Sequence, residues 1–164
     1  MANWNQSLYV LSGYRSGESD FGACLARAPA RDQQAVAALV QRVSTAMQHP
    51  GATAVLVVTA HSDRQDRQDM SPDQRRQSEL DASMQRVVSA GQWLADQLTA
   101  LVGPPDASAT WPRILTIRNA QGAALLINKT PANEAQRAEN RRVELQVYAS
   151  GMPAFALDFE TLPN

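Results

Sequence analysis

Charged side chains at three places in this sequence could recognise a charged ligand. Asp63 follows His61 and Ser62 at the end of an apolar run, and Arg86 lies within a long helical pattern. The third place is Arg137–Glu144, which reads RAENRRVE and leads into an alternating segment. A carboxylate can bind an ammonium group, and a guanidinium can bind a carboxylate through two parallel hydrogen bonds. These residue types favour recognition of charged groups.

Catalytic chemistry has little support in the sequence. His61 could act as a general base, but no nucleophile accompanies it, and we find no metal set, triad or carboxylate pair. Cys24 is the only cysteine, which excludes a disulfide within the chain and a thiolate metal cluster. We expect Cys24 to be a small, partly buried side chain. The sequence therefore predicts a protein that is not an enzyme and has no metal or cofactor.

The composition is typical of one globular domain. The chain has 164 residues, of which 44% are hydrophobic and 19% are charged. A net charge of −1 and an aromatic content of 5% argue against nucleic acid as a partner. No apolar stretch is long enough to cross a bilayer, and the N-terminus lacks the features of a secretory signal. We expect no direct membrane insertion, and either a cytoplasmic location or export that the chain as given does not encode.

Hydrophobic patterning predicts the strands that must position the charged residues. Ser7–Ser12 is rich in β formers, and Arg142–Ala149 alternates apolar and polar residues. Thr53–Ala60 is a continuous apolar run, typical of a central strand that is covered on both faces. Two further short strands are expected at Arg113–Ile117 and Ala123–Ile127.

Two long helices are expected between these strands. Asp32 is predicted to cap the first, which carries apolar residues at helical spacing and ends at His49-Pro50-Gly51. Ser71 and Pro72 begin the second, with Gln74 completing a capping box. The order β-α-β-α-β-β indicates an α+β or α/β sandwich, with two helices against a mixed sheet.

The intervening segments are less regular. No element is predicted for the connector Ser16–Pro29, and the charge run Arg64–Asp69 is expected to be a solvated, mobile loop. Lys129–Glu139 is expected to form a helical turn. The tail, Gly151–Asn164, could add a strand or pack on the surface.

Together, the charged stretches resemble the signature of the OmpA-like, peptidoglycan-binding family. The resemblance covers roughly residues 8–148, and its last motif is the most specific, because Arg137–Glu144 matches the family's RAxNRRVE. On the helix, Ser83 and Arg86 stand where the family has Ser and Arg, whereas Val87 replaces its usual Ala. The strand-end motif, residues 60–63, has Ala for the family's Gly and Ser for its Thr.

This resemblance implies an α+β, OmpA-like fold in which residues 1–164 form a single domain, with a core at about 8–149 and a tail at 150–164. It implies that Asp63 and Arg86 grip the diaminopimelate residue of the peptidoglycan stem peptide, the carboxylate taking the ammonium and the guanidinium taking the carboxylate. Further ligand-binding residues would be Ser62, Asn140 and Arg142.

The resemblance also implies a function and a location. The protein would tether an envelope component to the cell wall in the periplasm, in association with the outer membrane. Its partners would be peptidoglycan and proteins of an envelope or secretion assembly.

Each of these residues also has a plain structural interpretation. Asp63 could be a turn former, Arg86 a charge on a solvated helix face, and Asn140 a turn residue. Either Arg141 or Arg142 could pair with an acidic residue such as Glu144 or Glu139. Glu79 replaces the family's Asn, and the loop before the helix is longer than usual. These departures, together with the missing signal sequence, favour an alternative function, an OmpA-like scaffold with an eroded pocket that acts as a protein-interaction or structural subunit.

Overall fold

The computed structural model describes residues 4–48, 53–102 and 113–150. Within these ranges the chain forms four strands and four helices in the order β-α-α-β-α-β-α-β. The strands are β1 (Trp4–Ser12), β2 (Thr53–Ala60), β3 (Arg113–Ala120) and β4 (Arg142–Ser150). The helices are α1 (Phe21–Arg27), α2 (Ala30–Met47), α3 (Pro72–Val102) and α4 (Glu134–Asn140).

The four strands form one mixed sheet in the order β1-β4-β2-β3. Strand β4 lies antiparallel between β1 and β2, whereas β2 and β3 are parallel. Parallel neighbours need a long crossover connection, and α3 provides it. The predicted α+β class with a mixed sheet is confirmed.

The helices cover only one face of this sheet. Along β2, buried and half-buried residues alternate strictly, so Leu56 and Val58 face the core while Val55 and Val57 face away. Over the residues that the structure describes, β2 is therefore buried on one face only, whereas a cover on both faces was expected. A run of β-branched residues hides this two-residue period, because both faces of the strand carry apolar side chains.

The core lies between this face and helices α2 and α3, as predicted. Each helix contributes a buried apolar stripe at helical spacing, which stabilises the fold by roughly 1.5–3 kcal/mol for each fully buried large side chain. The stripe residues are Val36, Leu39, Val40 and Val43 on α2, and Val87, Leu94 and Leu98 on α3.

The predicted start of α3 is confirmed, whereas that of α2 is not. Gln74 N donates to Ser71 Oγ (3.2 Å) and Ser71 N donates to Gln74 Oε1 (2.8 Å), which forms the expected capping box. Helix α2 begins at Ala30, so Asp32 lies in its first turn instead of capping it. There its charge still complements the helix dipole.

The strand predicted at Ala123–Ile127 is wrong. The chain turns at Gly122, which has a φ of +53°, and the backbone that follows bonds to side chains instead of to a strand. Leu125 and Ile127, whose apolar character suggested a strand, are 59% and 57% exposed.

The remaining segments are partly described. The predicted helical turn at Lys129–Glu139 is present as α4, and the connector Ser16–Pro29 contains α1. The tail, Gly151–Asn164, lies outside the described residues. Among the described helices, none combines the length and the apolar character that a membrane span requires.

Candidate ligand-binding cleft

A cleft of about 750 Å³ opens beyond the carboxyl end of β2. The loop after β2, one face of α3, part of α4 and the turn after β1 form its walls. The structure brings Ser62, Asp63 and Arg86 together in this lining. The other charged groups of the lining are Glu18, Arg64, Asp66, Arg67, Asp81, Glu134, Arg137 and Arg141.

Arg86 is the most deeply buried of these charged side chains, with only 2% of its surface exposed. Its Nε donates to the backbone oxygen of Glu18 and its Nη1 to that of His61, both at 3.0 Å. The guanidinium carbon lies 5.1 Å from the centre of the Tyr14 ring, in cation–π range. Burial lowers the pKa of Arg86, but a guanidinium starts so high that it remains charged at neutral pH. The side chain is therefore a fixed cation in the cleft wall.

No carboxylate neutralises this cation among the residues that the structure describes. The other buried arginine of the cleft, Arg141, pairs with Glu134, and the half-buried Arg137 pairs with Asp63 and Asp66. Arg86 bonds only to uncharged groups, and its Nη2 donates to no described residue. Because an uncompensated buried charge costs several kcal/mol, this arrangement favours an anion from outside the chain.

Asp63 is held in one orientation at the end of β2. Its Oδ1 accepts a hydrogen bond from Asn140 Nδ2 and its Oδ2 accepts one from Arg137 Nη1, both at 2.8 Å. Arg141 Nη1 lies 4.0 Å from the same Oδ2. A carboxylate has about four acceptor positions, so Asp63 can still accept from a ligand.

Ser62 offers an unused polar group beside Asp63. Its Oγ is buried, and it has no hydrogen-bond partner among the described residues. Its backbone N–H donates to Gly122 O (2.8 Å), which fixes the start of the loop. An unpaired buried hydroxyl is costly, so a ligand that bonds to Ser62 would recover that cost.

Asn140 lies behind the cleft instead of in its lining. It is fully buried, and besides Asp63 its amide bonds to the backbone N–H and carbonyl of Asn128, at 2.8 and 2.9 Å. Asn140 therefore contacts Asp63 from behind the cleft and is not among the residues that line it.

Arg142 also lies outside the lining. Its Nε donates to Glu144 Oε1 (2.9 Å) and its Nη1 to Leu125 O (3.1 Å), which matches its structural interpretation. Arg141 faces the cleft instead, because the two residues lie on either side of the junction between α4 and β4.

The sequence did not single out Arg137 and Arg141 as cleft residues. Arg137 joins the two walls, since it bonds to Asp63 at the end of β2 and to Asp66 in the loop. Arg141 Nε donates to Tyr14 O (2.7 Å), which attaches the turn after β1 to the same site. Both residues belong to the RAxNRRVE motif, which was the only signal for them.

The long loop after Asp63 is tied to the fold at two points. Gln65 N donates to Glu79 Oε1 (2.8 Å), and Asp66 pairs with Arg137. Five of the six side chains of Arg64–Asp69 are exposed, as expected for a solvated loop, and these two contacts attach the loop to the fold. Glu79 lies outside the cleft lining, and its charge serves to hold the loop.

His61 is buried next to the site but does not line it. Its Nε2 lies 3.1 Å from Glu144 Oε1, at an orientation that makes no hydrogen bond. Burial and, second, the nearby charge of Arg142 lower the pKa of His61. In the described ranges, no group of three or more His, Cys, Asp or Glu side chains could hold a metal ion.

No protein-family model matches the chain, and no curated protein sequence matches it either. Solved structures with a similar fold include the peptidoglycan-associated lipoprotein from Burkholderia pseudomallei, with 14% identity and a TM-score of 0.46. That similarity covers 85% of this chain and 89% of the lipoprotein.

Two further solved structures are similar at the same 14% identity. The OmpA-like domain of FopA1 from Francisella tularensis has a TM-score of 0.42, with 94% of this chain and 83% of that domain covered. The periplasmic domain of MotB from Helicobacter pylori has a TM-score of 0.39, with 90% and 78% covered. The solved structures that are similar to this chain thus include an OmpA-like domain.

Proposed function

We propose that this protein binds peptidoglycan without cleaving it and so tethers an envelope component to the cell wall. The ligand group is the diaminopimelate of the stem peptide, whose head group carries an ammonium and a carboxylate on one carbon. The observation that carries the proposal is the Arg86 guanidinium, which is buried without a carboxylate partner among the described residues and lines the same cleft as Asp63.

Arg86 binds the carboxylate of this head group. Two backbone carbonyls and the Tyr14 ring already fix the guanidinium, so little side-chain entropy is lost on binding. Its free Nη2 donates to the ligand, and the new ion pair relieves the uncompensated charge.

Asp63 accepts from the ammonium, and Ser62 Oγ supplies a further hydrogen bond. The ammonium competes with Arg137 for Oδ2 of Asp63. When the ammonium displaces Arg137 from Asp63, Arg137 keeps its ion pair with Asp66. Asn140 holds Oδ1 throughout, so the carboxylate does not turn away.

One small head group offers few contacts, so a single site binds with an affinity on the order of micromolar to millimolar. Many identical stem peptides on one polymer raise the retention of a tethered assembly by avidity. Many weak sites that act together suit a wall anchor. We therefore propose the cell envelope, where peptidoglycan lies, as the location of the protein.

The alternative, a scaffold with an eroded pocket, was based in part on Glu79 and the long loop. Glu79 bonds to the loop backbone and does not line the cleft, so it does not repel the ligand's carboxylate. The loop adds a wall to the cleft instead of closing it. Both features are compatible with a working pocket, which favours peptidoglycan binding over the scaffold.

Sedimentation with purified cell walls tests the proposal. Wild type should pellet with diaminopimelate-type walls, whereas Asp63→Ala and Arg86→Ala should stay in the supernatant while remaining folded by circular dichroism. The exposed ion pair of Asp73 and Arg76, on the same α3 helix but outside the cleft, provides matched controls. Asp73→Ala and Arg76→Ala should sediment like wild type.

Walls in which lysine replaces diaminopimelate lack the carboxylate that Arg86 binds, so wild type should bind them weakly. Wild type that stays in the supernatant with diaminopimelate-type walls would refute the proposal and favour the scaffold. Equal sedimentation of the Arg86→Ala variant would refute the role of Arg86.

A further inference from the structure

A second groove, of about 630 Å³, runs along α3 beside the cleft. Gln85 lines both, and the chain passes from Glu18 in the cleft to Ser19 in the groove. A ligand that occupies the cleft can therefore continue into the groove without leaving the surface. The groove is lined by Ser19, Asp20, Gly22, Met84, Gln85, Val88, Ser89, Gln92, Trp93 and Asp96.

The chemistry of this groove differs from that of the cleft. Its lining contains two carboxylates and no cationic side chain, so it favours an uncharged ligand over a phosphate or a carboxylate. It combines amide and carboxylate groups with apolar surface, since Met84 and Val88 are 48% and 46% exposed. Uncharged ligands rich in hydroxyl groups need this combination, because they present both hydrogen-bonding edges and apolar C–H faces.

Trp93 provides an aromatic surface in the groove. Its ring packs against Phe21, with centroids 5.2 Å apart and an interplanar angle of 51°, which fixes its orientation. Gly22 lets α1 pack closely against the edge of the half-buried indole, since a Cβ there would lie 3.2 Å from Trp93 Cδ1. A fixed, amphipathic ring with an N–H donor at its edge is suited to stack on a sugar.

The distance between Arg86 and Trp93 along α3 matches the length of a short peptide. Arg86 and Trp93 are seven residues apart, which is about two turns, so both project from similar sides of the helix about 10 Å apart along its axis. A linker of about three extended residues spans roughly 10 Å. In peptidoglycan, a linker of this kind joins diaminopimelate to the sugar that carries the stem peptide.

We infer that the groove is a subsite for the glycan strand of the same polymer, with the sugar stacked on Trp93 and bonded by Gln92 and Asp96. The inference rests on the proposed function, because the stem peptide in the cleft brings the glycan to the groove. The tether provides an effective sugar concentration on the order of millimolar, so a subsite with a Kd of about 0.1 mM for the sugar raises the affinity of the joined ligand by about tenfold.

Calorimetric titration of two ligands tests this inference. One is the diaminopimelate-containing tripeptide alone, and the other is the same tripeptide joined to its disaccharide. Wild type should bind the second about tenfold more tightly. Val88→Lys fills the groove without removing core packing, and it should abolish this gain while leaving the affinity for the bare tripeptide unchanged.

Leu101→Lys is the matched control, since Leu101 is 51% exposed on the same helix and lies outside the groove. It should keep the tenfold gain. The inference is overturned if the disaccharide adds no affinity in wild type, or if Val88→Lys weakens both ligands equally. Failure of wild type to bind the bare tripeptide would instead overturn the proposed function, and the inference with it.

Discussion

Replacement of Asn140 by alanine tests how the cleft is held together. Asn140 is fully buried and makes three hydrogen bonds, two with the backbone of Asn128 and one with the Asp63 carboxylate. The two neutral bonds contribute about 1 kcal/mol each, and the bond to the charged group contributes about 2 kcal/mol. We expect Asn140→Ala to lower the free energy of unfolding by about 4 kcal/mol.

Urea denaturation, followed by circular dichroism, measures this change. Asn133→Ala is the matched control, because Asn133 is an exposed residue that caps the same helix, α4, through a single bond to Gln136 N (3.0 Å). Loss of that cap should cost about 1 kcal/mol. Asn140→Asp should destabilise at least as much as Asn140→Ala, because it sets a second carboxylate against Asp63.

A loss below about 1.5 kcal/mol for Asn140→Ala would contradict this reasoning, since water or a neighbour would then be replacing all three bonds. If the variant remains folded, its affinity for a diaminopimelate peptide should also fall, because Asp63 loses the donor that orients it. Unchanged affinity would show that Asp63 needs no support from Asn140.

Two further predictions concern titratable groups. Because the pKa of His61 is lowered in the folded protein, the unfolded chain takes up its proton first, so stability should fall as the pH drops below about 6.5. Between pH 8 and pH 5, the free energy of unfolding measured in urea should fall less for His61→Asn than for wild type. An identical pH dependence of the two proteins would contradict the prediction. Burial raises the pKa of Cys24 to about 11, so a thiol reagent at pH 8 should modify it much more slowly in native than in urea-unfolded protein. Equal rates would contradict this prediction.

The sequence predicted the strands best where local pattern and tertiary position agree. Thr53–Ala60 forms β2 with the predicted bounds, and Arg142–Ala149 differs from β4 by one residue. The strand prediction for Ala123–Ile127 failed because an apolar composition favours a strand but does not supply a neighbouring strand for it to pair with. Gly122 turns this segment away from β3, and Arg142 and Asn140 take up its backbone groups.

The residues of the cleft could be predicted from the sequence only where a family motif contains them. Ser62, Asp63 and Arg86 were identified by resemblance, and they line one cleft. The ion pair between Arg137 and Asp63 joins residues that are distant in sequence, and no local pattern encodes it. For Asn140 and Arg142, the motif identifies the residue type but not the direction of the side chain, which depends on how α4 joins β4.

The pairing of Arg86 with a ligand carboxylate can be measured most directly by a double-mutant cycle with the ligand. Calorimetry would compare a diaminopimelate tripeptide with its analogue in which the head-group carboxylate is an amide, against wild type and Arg86→Gln. We predict that amidation weakens binding to wild type by about tenfold or more, equivalent to about 1.4 kcal/mol, and has little effect on Arg86→Gln. Equal affinities of wild type for the two peptides would contradict the assignment of Arg86 as the carboxylate receptor.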